Sequence, residues 1–325
     1  MKATIWCNHQ FRPAAGAIFE AGLHGYELIK SPQATPAVLA QGVSDPALGE
    51  ADVAYGQPDV DDAMRFPRLR WIELSSAGYT RYDREDFRAA MQQRGTMVTN
   101  ASSVFAGPCA EHVLAMLLAL NRGLPRWMRE QLTERNWPYE EGRFTLDLLT
   151  GQTVVLLGFG AIGRRLAELL VPFRPRLIAL RRQTVVGGRA GLEIVSEADL
   201  PRALAEADHV VNALPDNPAT RGFVNAARFA QMKRGTRFYN IGRGTTVDQE
   251  ALLVALQSGW LAAAYLDVVD PEPLPSCHPL WAIANCYITP HLGGGHREQD
   301  ENMARHFLEN LRRFERGEPL IDRII

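Results

Sequence analysis

The chain has 325 residues, 46% of them hydrophobic and 22% charged, with a formal net charge of −2 and a sequence pI near 6.5. That balance gives no reason to expect a nucleic acid or an anionic membrane surface as partner, and the length exceeds what one core usually fills, so two domains are expected. Cys7, Cys109, Cys277 and Cys286 are scattered, with neither the spacing of a zinc site nor the density of a secreted disulfide scaffold. They read as reduced thiols in a cytoplasmic protein that needs no metal. Residues 1–16 carry Asn8, His9, Gln10 and Arg12 where a signal peptide needs an apolar run, and nowhere do 18 consecutive apolar residues occur.

From Lys2 to Asn100 short apolar runs at residues 3–6, 51–55, 69–74 and 96–99 alternate with helix-compatible segments, which predicts a smaller α/β domain of parallel strands. Between the last two runs stand Ser75, Ser76, Ala77, Gly78 and Tyr79. Small residues at a strand end form an ordinary turn, or present backbone N–H groups to a carboxylate. Residues 111–120 open a helix so apolar that it must be covered on more than one side. Trp127, Trp137, Pro138 and Tyr139 follow among charged residues, a composition that fits either local packing or a homodimer contact.

Thr153 to Leu157 is an unbroken β-favouring run, closed by Gly158, Phe159, Gly160, Ala161, Ile162 and Gly163 and followed by Leu166, Leu169 and Leu170 at helical spacing. This strand, glycine turn and helix predict a dinucleotide site. Gly158 permits the sharp turn, Gly160 lets backbone approach a pyrophosphate, Gly163 lets helix and strand lie close, and the helix N-terminus offers N–H groups to the anion. The next strand, residues 177–180, ends in Arg181 and Arg182 where an NAD enzyme would carry a carboxylate for the ribose hydroxyls. Two guanidinium groups at that point suit a 2′-phosphate, so NADP (as NADPH) is the expected cofactor.

Further strands are predicted at residues 209–214, 236–241, 262–268 and 286–289, with Asp248 capping a helix that Gly259 ends. A long helix over 295–317 carries Met303, Phe307, Leu308, Leu311 and Phe314, and is expected to pack on the N-terminal domain. Arg243, Glu272 and His291 each stand just past a predicted strand, and ligands of open α/β sheets bind outside the carboxyl ends of strands. Together they supply what reduction of a 2-keto acid needs. Arg243 offers a planar cation for the substrate carboxylate and carbonyl, His291 a proton donor that titrates near neutrality, and Glu272 an anionic neighbour that raises the histidine pKa.

The segments Asn240-Ile241-Gly242-Arg243-Gly244, Leu266-Asp267-Val268-Val269-Asp270-Pro271-Glu272-Pro273-Leu274 and Thr289-Pro290-His291-Leu292-Gly293-Gly294 resemble the catalytic Arg, Glu and His segments of the D-isomer-specific 2-hydroxyacid dehydrogenases. The resemblance covers nearly the whole chain. It implies an α/β protein with a doubly wound Rossmann domain over residues 101–292. Residues 1–100 with 293–325 would make a smaller flavodoxin-like lid domain on the substrate side. It also implies that Ala77 and Gly78 offer N–H groups to the substrate carboxylate, and that Asp267 contacts the nicotinamide amide. Leu214, Pro215, Ile241, Arg243, His291 and Gly293 join the coenzyme contacts on the same ground.

Arg181 departs from the family's usual acidic residue and resembles its NADP-using reductases of glyoxylate and hydroxypyruvate. Ending at Ile325, the chain leaves no room for the regulatory domain of many phosphoglycerate dehydrogenases, and Glu272 stands where formate dehydrogenases carry glutamine. His296 is the alternative donor, and Tyr55 and Tyr79 either line a small substrate pocket or pack in the lid. The alternative function is a non-catalytic dinucleotide sensor, like the corepressors that resemble this family.

Overall fold

The computed structural model describes residues 2–37, 42–181 and 191–325. They fall into two compact units, Met1–Phe105 with Gly295–Ile325, and Ala106–Gly294.

The first unit is a parallel sheet of β1 (Thr4–His9), β2 (Glu27–Thr35), β3 (Val53–Gly56), β4 (Trp71–Leu74) and β5 (Met97–Thr99), in the order β2-β1-β3-β4-β5. This is the flavodoxin-like winding. Strands β1, β3 and β4 are buried along their whole length, as a sheet covered on both faces requires. Strand β2 escapes sequence reading. Its Glu27, Lys30, Pro32 and Gln33 break any apolar run, and they are tolerated because β2 is an edge strand that pairs with β1 alone, with a register shift between Cys7 and His9. The C-terminal helix is Gln299–Arg316, one turn shorter at its start than expected. Its Met303, Phe307, Leu311 and Phe314 are buried, and Phe307 stacks on Trp71 with ring centroids 5.2 Å apart.

That helix is also tied down electrostatically. His306 Nδ1 lies 3.0 Å from Glu73 Oε1 on β4, and His306 Nε2 lies 3.3 Å from Asp322 Oδ2. Asn310 Nδ2 and Thr99 Oγ1 donate to the other Glu73 oxygen at 2.7 and 3.1 Å. Burial alone would lower the His306 pKa, but the adjoining carboxylates of Asp322 and Glu73 overrule it and raise the value to about 9.

The second unit holds β6 (Thr153–Leu157), β7 (Arg176–Leu180), β8 (Leu192–Val195), β9 (His209–Asn212), β10 (Arg237–Asn240), β11 (Ala263–Leu266) and β12 (Cys286–Ile288). All described pairings are parallel, in the order β12-β11-β10-β9-β6-β7-β8. This is the Rossmann winding with one further strand, and the order reverses between β6 and β9. The fold class expected from the sequence, a Rossmann sheet with a second, smaller flavodoxin-like unit, is the one observed. Val155, Ile178, Val210, Phe238 and Ala264, from five adjacent strands, share one core cluster. Strand β8 was not anticipated: its four residues alternate with a glutamate and lie at the sheet edge.

Helix Ser102–Asn121 runs a full two turns ahead of the expected start at residue 111 and carries Pro108 within it. Proline usually marks a helix boundary, which is why the sequence pattern points to the later start. By length and composition it is long and apolar enough to cross a membrane, yet Ala110, Val113 and Leu117 are wholly buried in the protein. Asp248 caps helix Gln249–Gln257 by accepting from Ala251 N, and Gly259 follows in the left-handed region at φ +65°.

The charge network makes the first unit sensitive to alkali. A raised folded-state pKa means that the His306 contribution is complete below about pH 6.5 and lost as pH rises through about 9. His306→Leu should cost about 3 kcal/mol or more, because it strands the buried Glu73 carboxylate. In urea titrations of the wild type between pH 6 and 10 the midpoint should fall towards pH 10. The variant, less stable at neutral pH, should lose much less over the same span.

Candidate active site

The glycine turn stands at the carboxyl end of β6, beside the point where strand order reverses. Gly158 is in the positive-φ region at +99°, and a Cβ there would press to 3.0 Å from the Ala213 carbonyl oxygen. A Cβ on Gly163 would reach 2.5 Å from the Gly158 oxygen, so helix Ala161–Leu170 seats on the turn only with glycine there. Gly160 differs, since a Cβ on it would meet nothing within 4 Å. It is also the N-cap of that helix and supplies no side-chain acceptor to the first N–H groups. Open space beside a helix N-terminus fits a dinucleotide pyrophosphate. Phe159 and Ile162 are half-buried beside it, with Ala161 opening the helix.

Arg181 directly follows β7, and its N–H donates to Val195 O at 3.2 Å. Arg182, the second cation expected there, lies outside the described residues. Leu214 and Pro215 form the loop after β9, where a Cβ on Gly242 would come within 2.6 Å of Leu214 O. Ile241 is buried and donates its N–H to Asn212 O at 3.0 Å.

Arg243, Glu272 and His291 follow β10, β11 and β12, three consecutive neighbours in the sheet. The Arg243 turn packs onto the Glu272 loop through Gly244, where any Cβ would run into the Val269 carbonyl. Arg243 Nη1 donates to Gly242 O at 2.6 Å, while Asn240 and Thr246 side chains hold the Arg243 carbonyl at 3.2 and 2.7 Å. Burial draws the guanidinium below its usual pKa, and the charge of Glu272 opposes that shift, as do Cys109 and Asp216 more weakly. Arginine starts so high that it stays protonated at neutral pH.

Glu272 Oε2 lies 2.8 Å from His291 Nδ1, and Oε1 accepts from Val269 N at 3.1 Å. Burial would raise the Glu272 pKa, but the bond and charge of His291, the Val269 N–H and Arg243 together hold it below the ordinary range. Both side chains keep about a third of their surface, 29% for His291 and 35% for Glu272, so the pair is accessible to a small molecule. His291 is in the left-handed region at φ +53°, held by its N–H donating to Asp267 O and Thr289 O at 2.9 and 3.0 Å. A recess of about 350 Å³ is lined by Asp267, Glu272, Trp281, Thr289 and His291 among others.

Asp267 is buried, and its carboxylate accepts from Thr289 Oγ1, Leu292 N and Gly293 N at 2.7, 2.8 and 2.9 Å. Sequence reasoning missed Thr289 and Tyr265 as members of this group, because both read there as ordinary strand residues, and it missed His112 inside an apolar helix. Trp281 left no sequence signal at all.

Ala77, Gly78, Tyr55, Tyr79 and His296 belong to the first unit. The Ala77 and Gly78 carbonyls accept from Asn100 Nδ2 at 2.7 Å and Ser76 Oγ at 2.6 Å. Tyr55 is fully buried against Phe11, Phe19 and Phe307, which answers the question left by the sequence in favour of packing. Tyr79 is partly buried against the core of that unit. His296 Nε2 lies 3.0 Å from Asn302 Nδ2. Among the described residues no group of three or more His, Cys, Asp or Glu could hold a metal ion.

A Rossmann sheet with a glycine cradle at its switch point defines a dinucleotide-binding protein. Residues 114–293 match the family model described as the NAD-binding domain of D-isomer-specific 2-hydroxyacid dehydrogenases. A human glyoxylate reductase/hydroxypyruvate reductase is 34% identical over 236 residues, 71% of this chain and 70% of its own. Among solved structures, a D-isomer-specific 2-hydroxyacid dehydrogenase from Xanthobacter autotrophicus Py2, in complex with NADPH and MES, superposes with a TM-score of 0.83. It is 28% identical, over 100% of this chain and 98% of its own. An NADPH-dependent glyoxylate/hydroxypyruvate reductase from Sinorhizobium meliloti, in complex with NADP and sulfate, gives 0.78 at 25% identity over 99% and 98%. The chain belongs to the D-isomer-specific 2-hydroxyacid dehydrogenase family. It is an oxidoreductase that uses a nicotinamide dinucleotide and a small-molecule acid.

The open space at Gly160 gives a direct test. Gly160→Val should lower the melting temperature only modestly, as a poorer N-cap, since an added Cβ meets no described atom within 4 Å, while raising the dinucleotide Kd about tenfold or more by occupying the pyrophosphate's space. Fluorescence titration with NADPH and NADH on both proteins measures this.

Proposed function

We propose that this protein reduces a small 2-keto acid of the glyoxylate or hydroxypyruvate kind to the D-2-hydroxy acid, with NADPH as reductant. One observation carries the reading: the 2.8 Å bond between His291 Nδ1 and Glu272 Oε2, with Arg243 ending a neighbouring strand. The substrate class is supported by what the human and S. meliloti relatives are named for. Support for NADPH comes from Arg181 at the end of β7, where a carboxylate would favour NAD and repel a 2′-phosphate.

The coenzyme would be held by the turn from Gly158 through Gly163, by Arg181, Arg182, Leu214, Pro215, Ile241, Arg243, His291 and Gly293, and by Asp267 at its carboxamide. When bound, its nicotinamide supplies a hydride to the keto carbon. Arg243 fixes the substrate carboxylate with its planar fork and draws electron density onto the carbonyl oxygen. As charge builds on that oxygen, His291 Nε2 gives it a proton. Glu272 can only accept, so the proton on Nδ1 is held and Nε2 is left as the donor face. On the first unit, the Ala77 and Gly78 N–H groups are proposed as donors to a substrate carboxylate, which gives that unit a substrate-binding role.

The working form is proposed to be a cytoplasmic homodimer. Met128, Leu132, Trp137 and Phe144, within 17 residues of one another in the chain, are 61%, 77%, 89% and 84% exposed, and apolar side chains left in water suit an interaction surface. All four cysteines are free, which suits a reducing compartment.

The test is NADPH oxidation on adding glyoxylate or hydroxypyruvate. His291→Ala should lower kcat by about 10² or more with NADPH affinity intact. For Arg243→Ala both a lower kcat and a higher KM for the keto acid are expected, because one group binds and polarises. Glu272→Gln should lower kcat with NADPH affinity intact, because an amide can present N–H to Nδ1 and release the ring from the tautomer that leaves Nε2 as donor. An inert protein that still binds NADPH would point instead to a dinucleotide sensor. Coenzyme choice is tested separately: kcat/KM should favour NADPH over NADH by about tenfold or more, and equal values would remove the role given to Arg181.

A further inference from the structure

We propose that His112, Tyr265 and Thr289 form a directed hydrogen-bond relay that fixes the Asp267 carboxylate for the coenzyme's carboxamide, which makes all three positioning residues of that site. The inference rests on the reading of Asp267 as a coenzyme contact.

Three separate elements converge on this carboxylate. Thr289, just past β12, reaches Asp267 Oδ1 at 2.7 Å. Tyr265, on β11 two residues before Asp267, brings its phenol to 2.5 Å from Thr289 Oγ1. His112, on helix Ser102–Asn121, bonds that phenol through Nε2. Tyr265 is completely buried, and burial pushes its pKa up, so it remains a neutral O–H group.

The carboxylate sets the direction of the whole chain. An ionised Asp267 accepts only, so Thr289 must spend its single proton on Oδ1. Its oxygen is then free to accept, and Tyr265 must donate to it. With the phenol proton committed, Tyr265 can only accept from His112, whose Nε2 must therefore carry hydrogen. In this order every bond of the relay has one donor and one acceptor, and the Tyr265 phenol also lies within hydrogen-bonding reach of Asp267 itself, which ties it to the same carboxylate.

The arrangement leaves room where a ligand needs it. Oδ1 is filled by Thr289 Oγ1 and Leu292 N, while Oδ2 takes Gly293 N as its donor among the described residues. A Cβ at Gly293 would come within 2.7 Å of Oδ2, so glycine there keeps that oxygen approachable. An amide N–H of the carboxamide suits the remaining lone pair. Without the relay Oδ1 keeps only the Leu292 N–H, the two backbone donors alone set the plane of the carboxylate, and that lone pair is held less firmly toward the carboxamide.

The experiment is NADPH binding by fluorescence titration, with melting temperatures measured on every variant. Tyr265→Phe and Thr289→Val should raise the NADPH Kd about tenfold, the usual worth of a hydrogen bond serving a charged group, with KM for hydroxypyruvate changed less than about twofold. His112→Leu should weaken NADPH binding several-fold. His112→Gln should restore it, because the glutamine amide supplies an N–H donor at similar reach, as should Thr289→Ser. The relay is overturned if folded Tyr265→Phe binds NADPH like the wild type, or if His112→Gln and His112→Leu bind alike. Tyr265→Phe removes one oxygen only and decides the matter if Thr289→Val fails to fold. A wild type that binds neither NADPH nor NADH would instead sink the coenzyme reading, and the relay with it.

Discussion

The reacting face proposed for this protein depends on one hydrogen bond, from His291 Nδ1 to Glu272 Oε2 at 2.8 Å. It decides which imidazole nitrogen faces outward. Glu272 is held in its anionic form by His291, Val269 N–H and Arg243, against its own burial, so it has no proton to give. The imidazole must then present hydrogen on Nδ1, and the outward nitrogen becomes the one that can exchange a proton with a substrate. With side chains still about a third exposed, the bond matters for orientation rather than for stability.

Everything around that bond serves to bring three loops together. Parallel strands end on one edge of the sheet, so the loops after β10, β11 and β12 are neighbours because the strands are. Gly242 and Gly244 let the Arg243 turn close against the Leu214 and Val269 backbones without side chains between. His291 accepts a left-handed backbone, a conformation that costs a non-glycine residue about 1 kcal/mol, and two hydrogen bonds from its own N–H hold it there. Asp267 ties the far end of the same loop through Leu292 and Gly293, so the carboxylate proposed to meet the coenzyme also places the histidine.

Much of this was legible in the residues alone, for reasons specific to each. The β6 strand and its glycine turn are local signals: a buried run has to be apolar, and a turn with φ +99° has to be glycine. Arg243, Glu272 and His291 could be grouped because winding a parallel sheet puts every strand end on the same side. Strand β2 stayed hidden because an edge strand needs no apolar alternation, and the early start of helix Ser102–Asn121 because Pro108 reads as a stop. His112, Tyr265 and Thr289 were invisible for a different reason: 153 residues separate the first two, and a hydrogen bond between distant side chains leaves no period in the chain.

The most direct test of the account is nitrogen-15 NMR of the His291 ring, followed through a pH titration in the wild type and in Glu272→Gln. Nδ1 should keep its proton across the titration in the wild type while Nε2 loses its own, and the variant should show a mixture of the two neutral tautomers. A wild-type ring that sheds the Nδ1 proton first, or a variant that shows the same single tautomer as the wild type, would contradict the assignment of Nε2 as the donor.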